Sequence, residues 1–504
     1  MLDAIPTPLR TLPKVAALAL ALSACTVGPD FVRPEVAVPE RFVQAPAAEA
    51  GDGAAADTAA TDTTGAAASA SFIAAPEFWR GFDDAQLTAL VEQALSANHD
   101  LRIALAHYDA ANALLRGAKF DRFPTVTASG TASDARASAD QAPGVARADR
   151  DGRSYDIGAN ASWELDLFGR IRRSVESRRA EATASAADLE AAQVAIVGEV
   201  ARTYFDLRGL QERLRVAQEN AGNQRETLRL VEARLDAGRG TEFDTARARA
   251  QLETTAARIP ALEAQVAFDM HRLAVLVGRT PDALVADLQP AKPLPGLPAK
   301  LDPGTPGELL RARPDIAAAE ARLHAATARV GVATADLFPR FTLGGLIGSQ
   351  AIDSSALFER DSETRLVALG IDWSFLDIGR VRARIAAADA DASAELARYQ
   401  QTVLLALEDT ENALVRYARA RSEDAHLERA AIDSADAARL ARVRFDAGAI
   451  DLLEVLDAER TRLQAQDAFA DSRTRSAIGA VGVYTALAGG WPEALPLRES
   501  VGRR

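Results

Sequence analysis

The chain has 504 residues, 48% apolar and 26% charged, but only 5% aromatic. That length admits several domains, while the shortage of aromatic side chains argues against a thick core and for alanine-rich helices packed closely together. A net charge of -13 argues against a nucleic-acid binder, which would show a basic face.

At the amino terminus, Arg10 and Lys14 precede the apolar run Val15 to Leu22, and Ser23, Ala24 and Cys25 follow. A basic start, a short apolar run and small residues make a secretory signal that is too short to span a bilayer. Leu-Ser-Ala-Cys resembles the bacterial lipoprotein box, in which cleavage before the cysteine leaves an amino terminus with lipid on the sulfur. A leader over 1–24 and lipidation of Cys25 are therefore expected, the alternative being an ordinary signal peptide beside a buried cysteine. Cys25 is the only cysteine of the chain, so an intrachain disulfide and a cysteine metal cluster are both excluded. Acyl chains bury about 0.8 kcal/mol per methylene, enough to hold the mature protein on a membrane. Thr26 in place of aspartate resembles the sorting signal for the outer membrane. The segment 25–75 then runs into Ala, Thr, Asp and Gly in low-complexity order, which reads as a linker.

Beyond the linker the chain repeats itself. ANHDLRIALAHYDAANALLRGAKFDRFPTVTASG from Ala97 aligns without gaps on ARPDIAAAEARLHAATARVGVATADLFPRFTLGG from Ala312, at an offset of 215. WELDLFGR from Trp163 matches WSFLDIGR from Trp373, and RLDAG at Arg234 matches RFDAG at Arg444, both at an offset of 210. Two copies of one supersecondary unit follow, over 76–280 and 308–490, with a Pro-rich connection over 281–307 and a tail over 491–504.

Each copy begins with a helix, over 98–120 in the first, that the Phe123-Pro124 or Phe338-Pro339 pair stops, because a residue before proline is pushed out of the α region. Two strands come next, in hairpins predicted over 124–166 and 340–376. Tyr155, Ile157, Ala159, Ala161, Trp163 and Leu165 alternate strictly with Asp156, Gly158, Asn160, Ser162, Glu164 and Asp166, and Val367, Leu369, Ile371, Trp373 and Phe375 keep the same phase in the second copy. The polar loops 134–153 and 351–363 are longer than a hairpin needs and fit the outward loops of a membrane barrel. A half-buried soluble sheet alternates in the same way. Proline-free helical spacing then runs from about 169 to 237 and from about 379 to 447, roughly 100 Å each. A turn at Gly238 or Gly448 returns the chain along helices predicted over 242–278 and 452–488. These are short enough to stack end to end with the helix before the Phe-Pro pair, beside the long one.

Four strands leave two edges, and inside lipid the unpaired groups of an edge cost several kcal/mol each. One chain cannot span alone; bacterial barrels have at least about eight strands, and three chains give about twelve. CTVGPDFVRPEVAVPERF, FWRGFDDAQLTALVEQALSANHDLRIALA, the duplicated helix-strand-strand-helix unit and the paired glycine turns resemble the outer-membrane factors of TolC and OprM type, above all the NodT-like efflux lipoproteins of the RND systems. The resemblance covers nearly the whole mature chain. It implies an α+β membrane protein with internal duplication: a homotrimeric channel whose twelve-stranded β-barrel, four strands per chain, sits in the outer membrane and continues as an α-helical barrel through the periplasm. It further implies docking on a periplasmic adaptor and an inner-membrane pump, and export of drugs or other toxic solutes without chemistry or cofactor.

The returning helices carry the candidate gate. Gly448 suits a left-handed helix cap, and Asp451 with Glu454 reads as an acidic capping box, as do Thr241 and Asp244 in the first copy. Asp457 lies beyond the reach of the helix dipole. Its counterpart is Arg247, and Glu459 likewise faces Arg249 in the alignment with the sign exchanged, so opposite charges are expected to meet between neighbouring turns. In the resembled family these turns close the periplasmic end, which implies an acidic constriction of Asp457, Glu454 and Asp244 held partly shut by Arg247. Phe445 and Ile450 stand where some relatives have tyrosine and arginine, which puts a hydrogen-bonded latch there in doubt.

His99, His107, His271, His324 and His426 show no metal-binding spacing, and no Walker loop, GxSxG or GxGxxG occurs. Trp163 and Trp373 fit either an interfacial aromatic belt or packing where strand meets helix. Type I protein secretion, metal-ion efflux and a lipid-anchored periplasmic coiled-coil scaffold remain as alternatives.

Overall fold

The computed structural model describes residues 26–43, 77–297 and 304–487. The leader 1–24, Cys25, the low-complexity stretch 44–75 and the tail 491–504 lie outside the described residues. In chain order the elements are α1 (Ala85–Ala97), α2 (His99–Phe120), β1 (Thr125–Arg136), β2 (Asp151–Leu165), α3 (Arg170–Asp236), α4 (Glu242–Ala256), α5 (Arg258–Leu276), α6 (Val285–Leu288), α7 (Pro306–Ala312), α8 (Pro314–Ala335), β3 (Arg340–Ala351), β4 (Glu363–Asp372), α9 (Ile378–Asp446) and α10 (Leu452–Ala486). Contacts divide the chain into two compact units, and both repeats contribute to each. One unit comprises residues up to 35, 108–186 and 318–400; the other comprises 36–107, 187–317 and 401 onward.

The first unit holds the sheet, with strand order β1-β2-β3-β4 and every pair antiparallel. Tyr155 to Leu165 of β2 pairs with Phe341 to Ala351 of β3, so the hairpins of the two copies join side by side. β4 ends at Asp372, and Phe375–Asp377 is a 3-10 turn, so Trp373 and Phe375 leave the predicted strand. Both tryptophans pin the corner where helix becomes strand. The Trp163 indole N–H donates to the Arg122 carbonyl at 3.0 Å, and that of Trp373 donates to the Leu337 carbonyl at 3.1 Å. These acceptors are equivalent positions, each two residues before the proline that stops the helix. The Asp166 carboxylate then starts α3 by accepting from the Ile171 and Arg172 amides at 3.0 and 2.9 Å.

The second unit is helical around a core in which Trp79, Leu87, Tyr204, Phe205, Leu207 and Leu273 are almost fully buried. Two equivalent junctions align helices end to end. The Asn98 side chain caps α2, accepting from the Asp100 amide at 2.8 Å, and its Nδ2 donates to the Leu276 carbonyl at the end of α5, also at 2.8 Å. In the second copy Arg313 takes that position and donates to the Ala486 carbonyl at 2.8 Å. A terminal carbonyl that lacks a helical partner is thereby satisfied in both copies.

The first returning helix is not continuous, contrary to the expectation over 242–278. It breaks at Ala257 into α4 and α5, because Pro260 has no N–H and its ring crowds the carbonyl of Ala256. α10 has no proline and runs unbroken for 35 residues.

Candidate functional site

At the ends of α3 and α9 the chain turns through Gly238 and Gly448, with φ of 69° and 72°. Both turns have the same two bonds: Gly238 N–H to the Leu235 carbonyl and Arg239 N–H to that of Arg234, each 2.8 Å, then Gly448 to Phe445 at 2.9 Å and Ala449 to Arg444 at 2.8 Å. This is the Schellman arrangement, and its left-handed residue is glycine because a Cβ there is strained.

After each turn the two copies differ. Thr241 accepts from the Asp244 amide at 3.2 Å, and Asp244 Oδ2 accepts from the Thr241 amide and hydroxyl at 3.2 and 2.7 Å, a complete capping box. Asp451 occupies the equivalent cap position, yet its side chain makes no capping bond, and the Glu454 amide donates instead to the Asp451 backbone carbonyl at 3.2 Å. The acidic capping box expected there is absent. A threonine hydroxyl can donate to its acidic partner, whereas two carboxylates repel each other.

Glu454 and Asp457 are exposed on α10, and Asp457 is paired with Arg460 one turn along the same helix. Arg247 is exposed on α4. The charges exchanged between the copies are satisfied within each hairpin: Arg249 lies 3.4 Å from Glu232, while Glu459, 5% exposed, lies 3.8 Å from Arg442 and 3.7 Å from Arg462. Arg442 also donates to the Thr227 hydroxyl at 2.8 Å, and Arg234 lies 4.5 Å over the Phe445 ring, so α3 and α9 are tied beside the turns. Sequence reasoning missed these partners; the signal was that Glu232 and Arg442 occupy equivalent positions, as do Arg249 and Glu459.

The sheet supplies the second functional surface. Val126, Ile157, Ile347, Val367, Leu369 and Ile371 share one face and are exposed, the face that register gives to Ala159, Trp163 and Leu343 as well. Thr127, Asn160, Thr342 and Gly370 lie on the other face. β1 and β4 are open edges. An exposed apolar face beside a polar one is the pattern of a strand set with lipid on one side and water on the other. No helix among the described residues is long and apolar enough to cross a membrane.

A third feature, the docked amino-terminal strap, also escaped sequence reasoning, which took 25–75 as an anchor and linker. Within the first unit the Val27 amide donates to the Phe168 carbonyl at 3.2 Å, Phe31 stacks on His324 at 4.5 Å, and buried Arg173 bonds the Val27 carbonyl at 3.2 Å and Asp30 at 2.6 Å. Gly28 lies so close to Gly331 that a Cβ on it would stand 2.5 Å from the Gly331 Cα. His324 Nε2 is 2.9 Å from Glu176. Burial pushes the Glu176 carboxyl up, but bonds to His324 and Arg173 outweigh it and hold the group below its ordinary value. Within the second unit, Phe42 is buried and the Val43 amide donates to Glu411 at 2.7 Å.

Comparison with known proteins assigns a class to this arrangement. The model of the outer membrane efflux protein family matches residues 90–279 and 305–489, and the chain belongs to that family. Outer membrane protein OprJ of Pseudomonas aeruginosa is 32% identical over 487 residues, covering 94% of this chain and 95% of its own. The toluene efflux pump outer membrane protein TtgI of Pseudomonas putida is 31% identical over 83% of this chain and 88% of its own. Among solved structures, the outer-membrane channel OprN superposes with a TM-score of 0.81 at 41% identity, over 93% of this chain and all of the other. The fold is that of the TolC-like outer-membrane channels, with a duplicated unit and a four-stranded sheet per chain, and the protein is an outer-membrane channel component of an efflux system.

Proposed function

We propose that three copies of this chain close their sheets into one barrel of about twelve strands. The observation that carries this reading is the sheet: an apolar face runs across all four strands and both edges are unpaired. Closure pairs β4 of one copy with β1 of the next, turning apolar residues to lipid and the threonine and asparagine face to a wet lumen. The two repeats, 76–280 and 308–490, supply equal shares of the wall. Cys25, at the end of the leader, carries lipid and anchors the docked strap to the membrane.

The turns at Gly238 and Gly448 form the periplasmic mouth and meet a periplasmic adaptor, through which an RND-type inner-membrane pump delivers its solutes. TtgI by its name serves toluene efflux, and small toxic or apolar solutes fit this chain by that likeness. Transport needs no catalytic step of the chain's own. Glu454, Asp457 and Asp244 form an acidic constriction that favours cations, with Arg247 from a neighbouring copy as a closing charge. The Asp457–Arg460 pair is exposed, and exposed pairs contribute only about 0–1 kcal/mol, so a docked partner can rearrange them.

Current across a planar bilayer tests the reading. The purified chain gives discrete cation-preferring conductance, and Asp457→Ala raises it; no current refutes the pore, whereas current unchanged by Asp457→Ala refutes the gate alone.

A further inference from the structure

In the first unit a cavity of about 370 Å³ opens between α3 and α8, lined by Arg122, Arg172, Arg179, Glu176, Thr183 and His324 among others. Its charges are unevenly matched. Arg172 bonds Asp166 at 3.2 Å, and Glu176 is shared by Arg173 and His324 at 2.9 Å each. Among the described residues the guanidinium groups of Arg122 and Arg179, both exposed, have no hydrogen-bond or ion-pair partner, which leaves two unpaired positive charges at one opening.

The place of the cavity matters as much as its charge. The Arg122 carbonyl holds the Trp163 indole, and Leu165, two residues on, is the last residue of β2. Arg122 therefore stands where the apolar face ends, which in the barrel proposed above is the depth of the phosphate layer of the leaflet that faces the periplasm. His324, on the cavity wall, is covered by Phe31 of the docked amino-terminal strap. The second copy does not repeat these charges: Leu337 stands in place of Arg122 and Asp389 in place of Arg179. The fold thus does not need them.

We infer that this cavity binds a phosphate group, held by Arg122 and Arg179 with Thr183 and His324 beside them. Arginine presents a planar fork of donors that matches phosphate oxygens. A phospholipid headgroup is the source the position favours, and free inorganic phosphate offers the same chemistry. The choice of lipid rests on the membrane placement proposed above.

Full-length protein in mild detergent is titrated calorimetrically with dihexanoyl phosphatidylglycerol and, separately, with inorganic phosphate. The native chain is expected to bind the lipid, with affinity falling about tenfold in Arg179→Gln and further in R122Q/R179Q, since each variant loses a charged hydrogen bond to the phosphate. Phosphate binding as tightly as the lipid, with the same loss, supports the site with a soluble ligand. Arg178→Gln, on a neighbouring side chain paired with Glu181 at 2.8 Å, controls for bulk charge and keeps native affinity. Helical ellipticity reports folding of each variant, and bilayer current recorded on the native preparation separates failure of the site from failure of the pore. Equal affinity of native and R122Q/R179Q protein for both probes, or an equal loss in Arg178→Gln, overturns the inference.

Discussion

Arg442 on α9 stands 3.8 Å from Glu459 on α10, and the same two positions of the first copy hold the opposite charges, Glu232 and Arg249, 3.4 Å apart. Duplication kept the pair while exchanging its signs. The two pairs differ in burial: the Glu459 side chain is 6% exposed, those of Arg249 and Glu232 are 58% and 46%. Glu459→Gln leaves Arg442 and Arg462 facing a buried neutral group and is expected to cost about 1–3 kcal/mol. Arg249→Gln costs about 0–1 kcal/mol. Thermal midpoints of helical ellipticity check the order, and the exchanged double variant R442E/E459R, which copies the polarity of the first hairpin, recovers part of the loss.

Arg208 is fully buried and, among the described residues, has no carboxylate partner. It donates to Gln211 Oε1 at 2.6 Å, Gln86 Oε1 at 2.7 Å and the Pro290 carbonyl at 3.0 Å, and it lies 5.0 Å over the Tyr204 ring. The Tyr204 hydroxyl donates to Asp84, and burial, with that acceptor, pushes its pKa up to about 12. Arg208 thus staples the connection after α6 to α3. Arg208→Ala leaves those acceptors unpaired at a cost of about 2–4 kcal/mol. A lower thermal midpoint of helical ellipticity is the expected readout, with the Lys292 ammonium keeping its 2.8 Å bond to the same Gln86 oxygen.

Asp269 on α5 is half-buried, one of its oxygens has no partner among the described residues, and desolvation, with Asp206 nearby, raises its pKa to about 7. The folded chain therefore binds this proton more tightly than the unfolded chain does. The stability is present below the ordinary carboxylate range and is lost as pH rises through about 7. Asp269→Asn should melt higher than the native chain at pH 8 and flatten the decline between pH 5 and 8; parallel melting curves across that range would contradict the assignment.

The strap depends on the contact of Gly28 with Gly331, and Gly28 has φ of 91°. Gly28→Val adds both a clash and backbone strain. Protease cleavage between residues 26 and 43 should accelerate while the helices keep their ellipticity.

Sequence pattern located the long helices closely because nothing interrupts them: about 169 to 237 against Arg170–Asp236, and about 379 to 447 against Ile378–Asp446. Glycine and proline punctuation carries that information locally. The break at Ala257 was legible in Pro260 but was outweighed by the helical spacing around it. The strap was not legible, since it has no period and its order comes from single contacts such as Phe31 on His324. The capping at Asp451 failed for a related reason: residue type allows the bond, but whether the carboxylate turns to the helix depends on its charged neighbours.

Native mass spectrometry of the full-length protein released from detergent tests most directly whether incomplete sheets from three chains close one cylinder. A dominant species of three chains, dissociating to one on heating, is the predicted result. A monomer as the main species, keeping its strands in detergent, would contradict it.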